Sequence, residues 1–153
     1  MPKVAIIYAS VHHKNTEKLV KRIAQKCPVD LYDITQIKSV DLSPYEMIGF
    51  ASGIYMARPH KLIRKFLNEQ EGLPDQTFVI LTSGIGKGEF ANAFSEELSE
   101  KGFDVLGEFE CRGYDTFGPF RSMYEQRPDH PNEDDIQNAI VFVEEVIQKM
   151  KIE

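Results

Sequence analysis

The sequence predicts an α/β protein with a five-stranded parallel sheet of order 2-1-3-4-5 and helices on both of its faces. Continuous apolar runs alternate with segments whose apolar residues recur every three or four positions, which is typical of buried strands and amphipathic helices. Only ten residues, 35–44, separate the second run from the third. This gap is too short for a crossover helix, so these two strands are expected not to be neighbours.

The elements follow one another in a regular order. The first strand is predicted at Val4–Ala9, where every residue is apolar, and the helix after it has a stripe of apolar side chains ending near Cys27. The other strands are predicted at Val29–Ile34, Tyr45–Ala51, Thr77–Thr82 and Phe103–Cys111. Together with four helices they predict a single domain over residues 1–153.

Three further helices are predicted from their ends and their apolar faces. Proline suits a first helical position, so the second helix is expected to begin at Pro59. The third carries Phe90, Phe94 and Leu98 on one face. The fourth begins at Asn132, a good N-cap, and the three acidic residues that follow it complement the helix dipole.

Composition excludes several classes of function. A net charge of −6 argues against nucleic acid and against anionic membrane surfaces. Cys27 and Cys111 are too few for a disulfide framework and fit a reducing cytoplasm. No signal peptide and no apolar run of transmembrane length is found, so a cytoplasmic protein is expected.

The loop between the first strand and the first helix is a candidate phosphate site. The unpaired N–H groups and partial positive charge of a helix N-terminus favour an anion. The loop adds hydroxyl, amide and basic side chains, namely Ser10, His12, His13, Lys14, Asn15 and Thr16. Without a ligand, Ser10 and Thr16 would simply cap the helix, and the two histidines would be solvated loop residues.

Three common phosphate-binding or phosphate-accepting motifs are absent. The loop at 10–16 has no glycine, which excludes the G-x-G-x-x-G dinucleotide motif. Gly86-Lys87 is followed by glycine where the P-loop needs serine or threonine, and Leu81 replaces its first glycine. A phosphoacceptor receiver domain needs acidic residues after the first strand, where this chain has Ala9-Ser10, and an aspartate at the end of the third, where it has Ser52.

With Asn15-Thr16 before the first helix, the chain resembles the flavodoxin family over essentially its whole length. The resemblance implies a three-layer sandwich with non-covalently bound FMN, whose phosphate would lie at the loop 10–16. It also implies an electron carrier that works with redox partner proteins, usually as a monomer. Because the protein is acidic, a low reduction potential is expected.

Two later segments match the parts of flavodoxins that hold the flavin ring. The resemblance assigns the first to Ser52, Gly53, Ile54, Tyr55 and Met56, with the Gly53–Ile54 peptide as the partner of flavin N5 and Tyr55 as a stacking ring. It assigns the second, on the other side of the ring or at its pyrimidine edge, to Ser83, Gly84, Ile85 and Gly86. Tyr55 could instead be an ordinary half-buried aromatic residue, but the neighbouring Ser52-Gly53 favours stacking. Cys111 is expected to be a buried hydrophobe.

Two other functions remain open. The long aromatic segment Arg112–Pro131 would suit an NAD(P)H-dependent FMN or quinone reductase, or an oxidase, on the same scaffold. It is interpreted as a lid or a docking surface, with Tyr114 as a second ring contact. A protein that has lost its cofactor and serves as an interaction module is the third hypothesis. Flavin absorbance and NAD(P)H oxidation distinguish the three.

Overall fold

The computed structural model describes residues 3–10, 14–37, 39–55, 57–84, 86–113 and 130–150. Strands and helices alternate along the chain, except that three strands follow one another between the first and second helices. The strands are β1 (Val4–Ala9), β2 (Val29–Asp33), β3 (Met47–Tyr55), β4 (Arg58–Pro59), β5 (Gln76–Ser83) and β6 (Asp104–Arg112). The helices are α1 (Asn15–Lys26), α2 (Lys61–Glu69), α3 (Glu89–Glu100) and α4 (Glu133–Lys149).

The sheet has the predicted order. Its long strands run β2-β1-β3-β5-β6 and all pair in parallel, while β4 pairs antiparallel with the end of β3. This is the flavodoxin-like arrangement that the short link between the second and third strands predicts. All five predicted parallel strands are present, and the described residues add a sixth, antiparallel strand, β4, whose two residues have no apolar pattern of their own.

Apolar side chains fill both sides of the sheet. On one side Leu19, Val20 and Ile23 of α1 and the apolar stripe of α4 cover β1, β3 and β5. On the other side Ile63 and Phe66 of α2 and the stripe of α3 pack against alternate residues of the same strands. Alternate residues of the central strands thus enter opposite cores, which explains why those strands are apolar at nearly every position.

The start of α2 differs from the prediction. Pro59 lies in β4, paired with Ile54, and the helix begins two residues later at Lys61. His60 is the N-cap, and its ring Nδ1 accepts a hydrogen bond of 3.0 Å from the backbone N–H of Leu62. A proline without an N–H group is equally acceptable at an edge strand, which is where the hairpin puts it.

The third strand is longer than predicted. It continues past Ala51 to Tyr55, so Ser52 and Gly53 are strand residues rather than loop residues. The sheet supports this extension, because Ser52 pairs with Ala9 and Leu81, and Gly53 pairs with Thr82. By contrast, α4 has the predicted Asn132 cap, completed by a reciprocal bond to Asp135.

None of the helices within the described ranges is long and apolar enough to cross a lipid bilayer.

Candidate functional site

Five parallel strands end at the same edge of the sheet. The chain leaves β1 toward β2 on one side, whereas β3 lies on the other side, so the crevice between β1 and β3 is the switch point at which open α/β sheets bind ligands. In the register Ala9 lies beside Ser52, Gly53 beside Thr82, and Ser83 beside Arg112. The segments predicted for the phosphate and the ring therefore meet at one edge.

Ser10 and Lys14 form the described part of the first loop. The hydroxyl oxygen of Ser10 accepts a hydrogen bond of 2.9 Å from the backbone N–H of Glu17, in the first turn of α1. Lys14 donates from Nζ to the Ser10 carbonyl at 3.1 Å. Lys14 is also the N-cap, in the left-handed conformation at φ 54°. Ser10 thus caps one N–H group of the first turn of α1, as the capping interpretation predicts.

Thr16 and Asn15 join α1 to the neighbouring strands. The hydroxyl groups of Thr16 and Thr82 lie 3.0 Å apart, and both residues are buried. Asn15 packs against Gly113, where an added Cβ would lie 2.6 Å from Asn15 Nδ2. Gly113 in turn donates its backbone N–H to the Ser83 carbonyl at 2.9 Å. The hydroxyl of Thr16 is therefore turned toward the sheet.

Ser52, Gly53 and Tyr55 form a compact unit with His60. Ser52 Oγ donates to the Gly53 carbonyl at 2.6 Å and accepts from the His60 backbone N–H at 2.9 Å. The Tyr55 ring meets the His60 ring edge to face, with centroids 5.2 Å apart. An added Cβ on Gly53 would lie 3.0 Å from the Tyr55 hydroxyl oxygen, so this side chain lies over Gly53. Ile54, between them, pairs with Pro59.

A carboxylate that the sequence does not single out organises the segment after β5. Glu110 on β6 accepts one bond from the Ser83 hydroxyl at 2.8 Å and another from the Ala91 backbone N–H at 2.9 Å. It therefore caps the first turn of α3 from the adjacent strand. Ser83 Oγ also accepts from the Gly86 N–H at 2.7 Å, which closes the turn containing Gly84.

Gly86 is packed against the end of β6. Its φ of +68° lies in the left-handed region, and an added Cβ would come within 2.6 Å of the Arg112 backbone nitrogen. Only glycine combines this conformation with so close a backbone approach.

The remaining predicted residues either lie outside the described ranges or, in the case of Cys111, are buried in the core. His12, His13, Met56, Ile85 and Tyr114 are outside the described residues, as is most of the segment 112–131. Cys111 is buried in the core, and this burial, followed by the charges of Asp135 and Glu110, raises the pKa of its thiol to about 12. A neutral thiol at ordinary pH fits the predicted hydrophobic role.

Sequence reasoning missed Glu110 and the N-cap role of His60. Glu110 stands in a predicted strand, where a single acidic residue is usually assumed to face solvent. The signal that could have identified it is its position at the carboxyl end of that strand, next to the strand that precedes the third helix. His60 was obscured by the proline before it. Across the described part of the chain no three His, Cys, Asp or Glu side chains form a group that could hold a metal ion.

Comparisons with known proteins show a family match and a curated relative. The family model described as flavodoxin domain matches residues 5–113. An uncharacterized protein of Methanocaldococcus jannaschii, MJ0298, is 40% identical over 148 residues, which are 95% of this chain and 99% of the relative.

Solved structures share the fold at low identity. A flavodoxin from the domain Archaea has a TM-score of 0.66 at 15% identity, covering 97% of this chain and 99% of its own. A mutant flavodoxin of Fusobacterium nucleatum bound to flavin mononucleotide has a TM-score of 0.64 at 16% identity, covering 99% of this chain and 98% of its own.

A third structure is much longer than this chain. Rubredoxin:oxygen oxidoreductase of Desulfovibrio gigas has a TM-score of 0.71 at 15% identity over 97% of this chain. This chain spans only 36% of that enzyme. The family match covers more than two thirds of the residues, and the strand order and switch point agree with it. The chain belongs to the flavodoxin domain family.

Proposed function

We propose that this protein binds FMN non-covalently and carries electrons at low potential between redox partner proteins. The observation that carries the proposal is the meeting of the α1 start with the ends of β3 and β5 at the switch point. The Fusobacterium flavodoxin named above, which is bound to flavin mononucleotide, has the same fold. The two buried free thiols fit the cytoplasm as the place of action.

The residues at the start of α1 suit a phosphate. Helix N–H groups and the positive end of the helix dipole favour a group with about two negative charges. Ser10 Oγ accepts from Glu17, and an oxygen that accepts can still donate its own proton to a phosphate oxygen. Lys14 adds a positive charge beside it. We assign the phosphate to Ser10, Lys14, Asn15, His12 and His13, and to the backbone N–H of Thr16, whose hydroxyl is held by Thr82.

The ends of β3 and β5 suit a planar ring. Gly53 has no side chain between its backbone and the crevice, and Tyr55 offers an aromatic face next to it. Ser52 fixes the direction of the Gly53 carbonyl. We assign the ring to Ser52, Gly53, Ile54, Tyr55 and Met56 on one side, and to Ser83, Gly84, Ile85 and Gly86 on the other.

The chemistry of such a protein belongs to its cofactor, since bound FMN takes up and releases electrons one or two at a time. The protein binds and orients it and excludes water. A net charge of −6 disfavours the anionic reduced form of bound FMN, and this lowers the reduction potential of the cofactor. For a one-electron couple each tenfold change in relative stability corresponds to about 59 mV.

Purification and reconstitution test the proposal. The protein should be yellow as purified, or should quench the fluorescence of added FMN with a stoichiometry of one per chain as a monomer. Potentiometric titration should then place its potential below that of free FMN. A colourless protein that leaves FMN fluorescence unchanged would contradict it and favour the interaction module. Rapid oxidation of NAD(P)H without an added reductase would favour an enzyme.

A further inference from the structure

Positive charge is concentrated at the start of α2. Between residues 57 and 68 the chain has four cationic side chains and no carboxylate, although the whole chain carries a net charge of −6. The four cations are Arg58, Lys61, Arg64 and Lys65. The segment 14–26 is also basic, with five cationic side chains and one carboxylate, but there Lys21 pairs with Glu17 and Arg22 pairs with Glu133.

Three of these four cations have no anionic partner in the described structure. Arg64 pairs with Glu97 at 2.8 Å. Arg58, Lys61 and Lys65 are exposed, and no carboxylate of the described residues forms an ion pair with any of them. We refer to these three residues as the α2 basic patch.

The positions of these charges work against the helix that carries them. Lys61 is the first residue of α2, where the helix dipole is positive, and no acidic residue stands in that turn. Lys61 and Lys65 are four residues apart, so their like charges lie on the same helix face. In α4, by contrast, the first turn has Glu133, Asp134 and Asp135. Folding alone does not account for the α2 basic patch, and a local conflict of this kind is typical of functional positions.

The α2 basic patch lies next to the candidate ring site. His60, which caps α2, donates its N–H to Ser52 and meets the Tyr55 ring at 5.2 Å. Arg58 is the residue of β4 that pairs with Tyr55. A molecule seated on the patch would therefore be next to the end of β3.

We propose that the α2 basic patch is the docking surface for an acidic face of a redox partner protein. This proposal rests on the proposed function, and it specifies in addition that the docking face of the partner protein is negatively charged. Lys61 and Lys65 are about 6 Å apart along the helix axis and Arg58 is on the preceding strand, so the three charges are spread over two elements. Exposed charges spread in this way fit a protein surface, and they would steer an acidic partner to this edge of a protein whose net charge repels it.

A peptide-binding experiment tests the surface without any flavin. A fluorescein-labelled deca-glutamate peptide serves as the acidic probe, and fluorescence anisotropy is followed at low ionic strength. The variant is Lys61→Glu/Lys65→Glu, and the matched control is Lys26→Glu/Lys149→Glu, which changes two exposed lysines on α1 and α4. We expect the wild-type protein to bind the peptide, the α2 variant to bind about tenfold or more weakly, and the control to bind about as the wild type does.

Stability distinguishes a docking role from a structural one. In the α2 variant an acidic residue replaces Lys61 at the positive end of the helix dipole, so its midpoint of thermal unfolding should be equal to or above the wild-type value. Loss of peptide binding without loss of stability supports the docking surface. A destabilised α2 variant, or a control that loses binding to the same extent, overturns it.

Electron transfer links the surface to the site. The reduced, FMN-loaded protein is mixed with ferricyanide, an anion, in a stopped-flow instrument at increasing ionic strength. The net charge alone predicts a rate constant that rises with salt, whereas attraction by the patch predicts one that falls. We expect it to fall in the wild type and the control, and to rise in the α2 variant. A rate that rises with salt in the wild type overturns the inference. Wild-type protein that binds no FMN overturns the proposed function instead, and the peptide experiment still decides the docking surface.

Discussion

Ser52 Oγ donates a hydrogen bond of 2.6 Å to the carbonyl oxygen of Gly53, the next residue in β3. The same oxygen accepts a bond of 2.9 Å from the backbone N–H of His60. One buried hydroxyl thus joins the carboxyl end of β3 to the cap of α2. Because the hydroxyl is held from both sides, the peptide between Gly53 and Ile54 has a fixed orientation at the candidate ring site.

Replacing Ser52 by alanine should weaken both the fold and the binding of FMN. The His60 N–H would lose its acceptor, so the free energy of unfolding should fall by about 1–3 kcal/mol. Loss of a hydrogen bond that orients the ring-side peptide is expected to raise the Kd for FMN by about 2- to 10-fold. Urea unfolding and fluorescence quenching measure the two effects.

Ser95→Ala is the matched control for Ser52→Ala. Within the described residues, the hydroxyl oxygen of Ser95 on α3 is buried and has no hydrogen-bond partner. Its removal should change the free energy of unfolding by less than about 0.5 kcal/mol, or increase it, and should leave FMN binding unchanged. If both variants behave like the wild type, the role assigned to Ser52 is wrong.

Gly86→Ala should destabilise the turn after β5. The substitution requires a side chain at φ +68° and puts its Cβ 2.6 Å from the Arg112 backbone nitrogen. The unfavourable φ alone costs about 1 kcal/mol of folding free energy. The contact with Arg112 adds to this cost, because the clash is with the backbone of β6 and not with a flexible side chain. We expect the free energy of unfolding to fall by about 2–4 kcal/mol, measured by urea unfolding.

Gly72→Ala separates these two contributions. Gly72 has a similar φ of +74°, and nothing lies within 4 Å of the Cβ that would be added there. This variant should lose only the conformational part, about 1 kcal/mol. Equal losses in the two variants would mean that β6 does not restrict Gly86.

The sheet was predictable because its signals are local and redundant. Val4–Ala9 and the run around Val79 are apolar at every position, and only burial on both faces accounts for this. The ten residues between the second and third strands then determined that those strands lie apart. Pro59 misled the prediction, since a proline is acceptable both at a helix start and in the edge strand β4 that it occupies.

The site was predictable as a set of chain segments but not as a set of contacts. Ser10 follows β1, Ser52 lies in the last part of β3 and Ser83 ends β5, and sheet order brings them to one edge. Their hydrogen-bond partners come from elsewhere in the chain: Ser83 is bound by Glu110, which is 27 residues away. Such pairs depend on the register of neighbouring strands, which the sequence pattern does not specify.

Glu110→Ala should loosen the start of α3. The carboxylate accepts from the Ala91 N–H and the Ser83 hydroxyl, so both donors would lose their partner. Loss of such a cap costs about 0.5–2 kcal/mol, and the second bond adds about 1 kcal/mol. The control is Glu108→Ala on the same strand, whose carboxylate has a longer, exposed contact of 3.3 Å with Asn92. Hydrogen exchange should accelerate at the Ala91 N–H in the first variant and not in the second.

Acid should weaken the cap of α2. His60 Nδ1 accepts the Leu62 N–H, which requires an unprotonated nitrogen. Burial, and then the charge of Lys61, lowers the pKa of His60 below its usual 6.5 in the folded protein. Between the lowered pKa and 6.5 the unfolded chain therefore binds more protons than the folded one. The stabilisation that His60 provides is complete above this window and is lost as the pH falls through it, with a slope of at most about 1.4 kcal/mol per pH unit.

The His60→Asn variant isolates this contribution, because asparagine is a good N-cap and does not titrate in this range. Urea unfolding of the wild type and the variant at several pH values from about 7.5 to 5 gives two curves whose difference belongs to residue 60. We expect the curves to run parallel above about pH 6.5 and the wild type to lose stability faster below it. The protection factor of the Leu62 N–H, which corrects for the pH dependence of intrinsic exchange, should fall over the same range in the wild type alone. Curves that stay parallel down to about pH 5 would show that the imidazole does not hold the start of α2, and the cap would then have to be assigned to the backbone around Pro59.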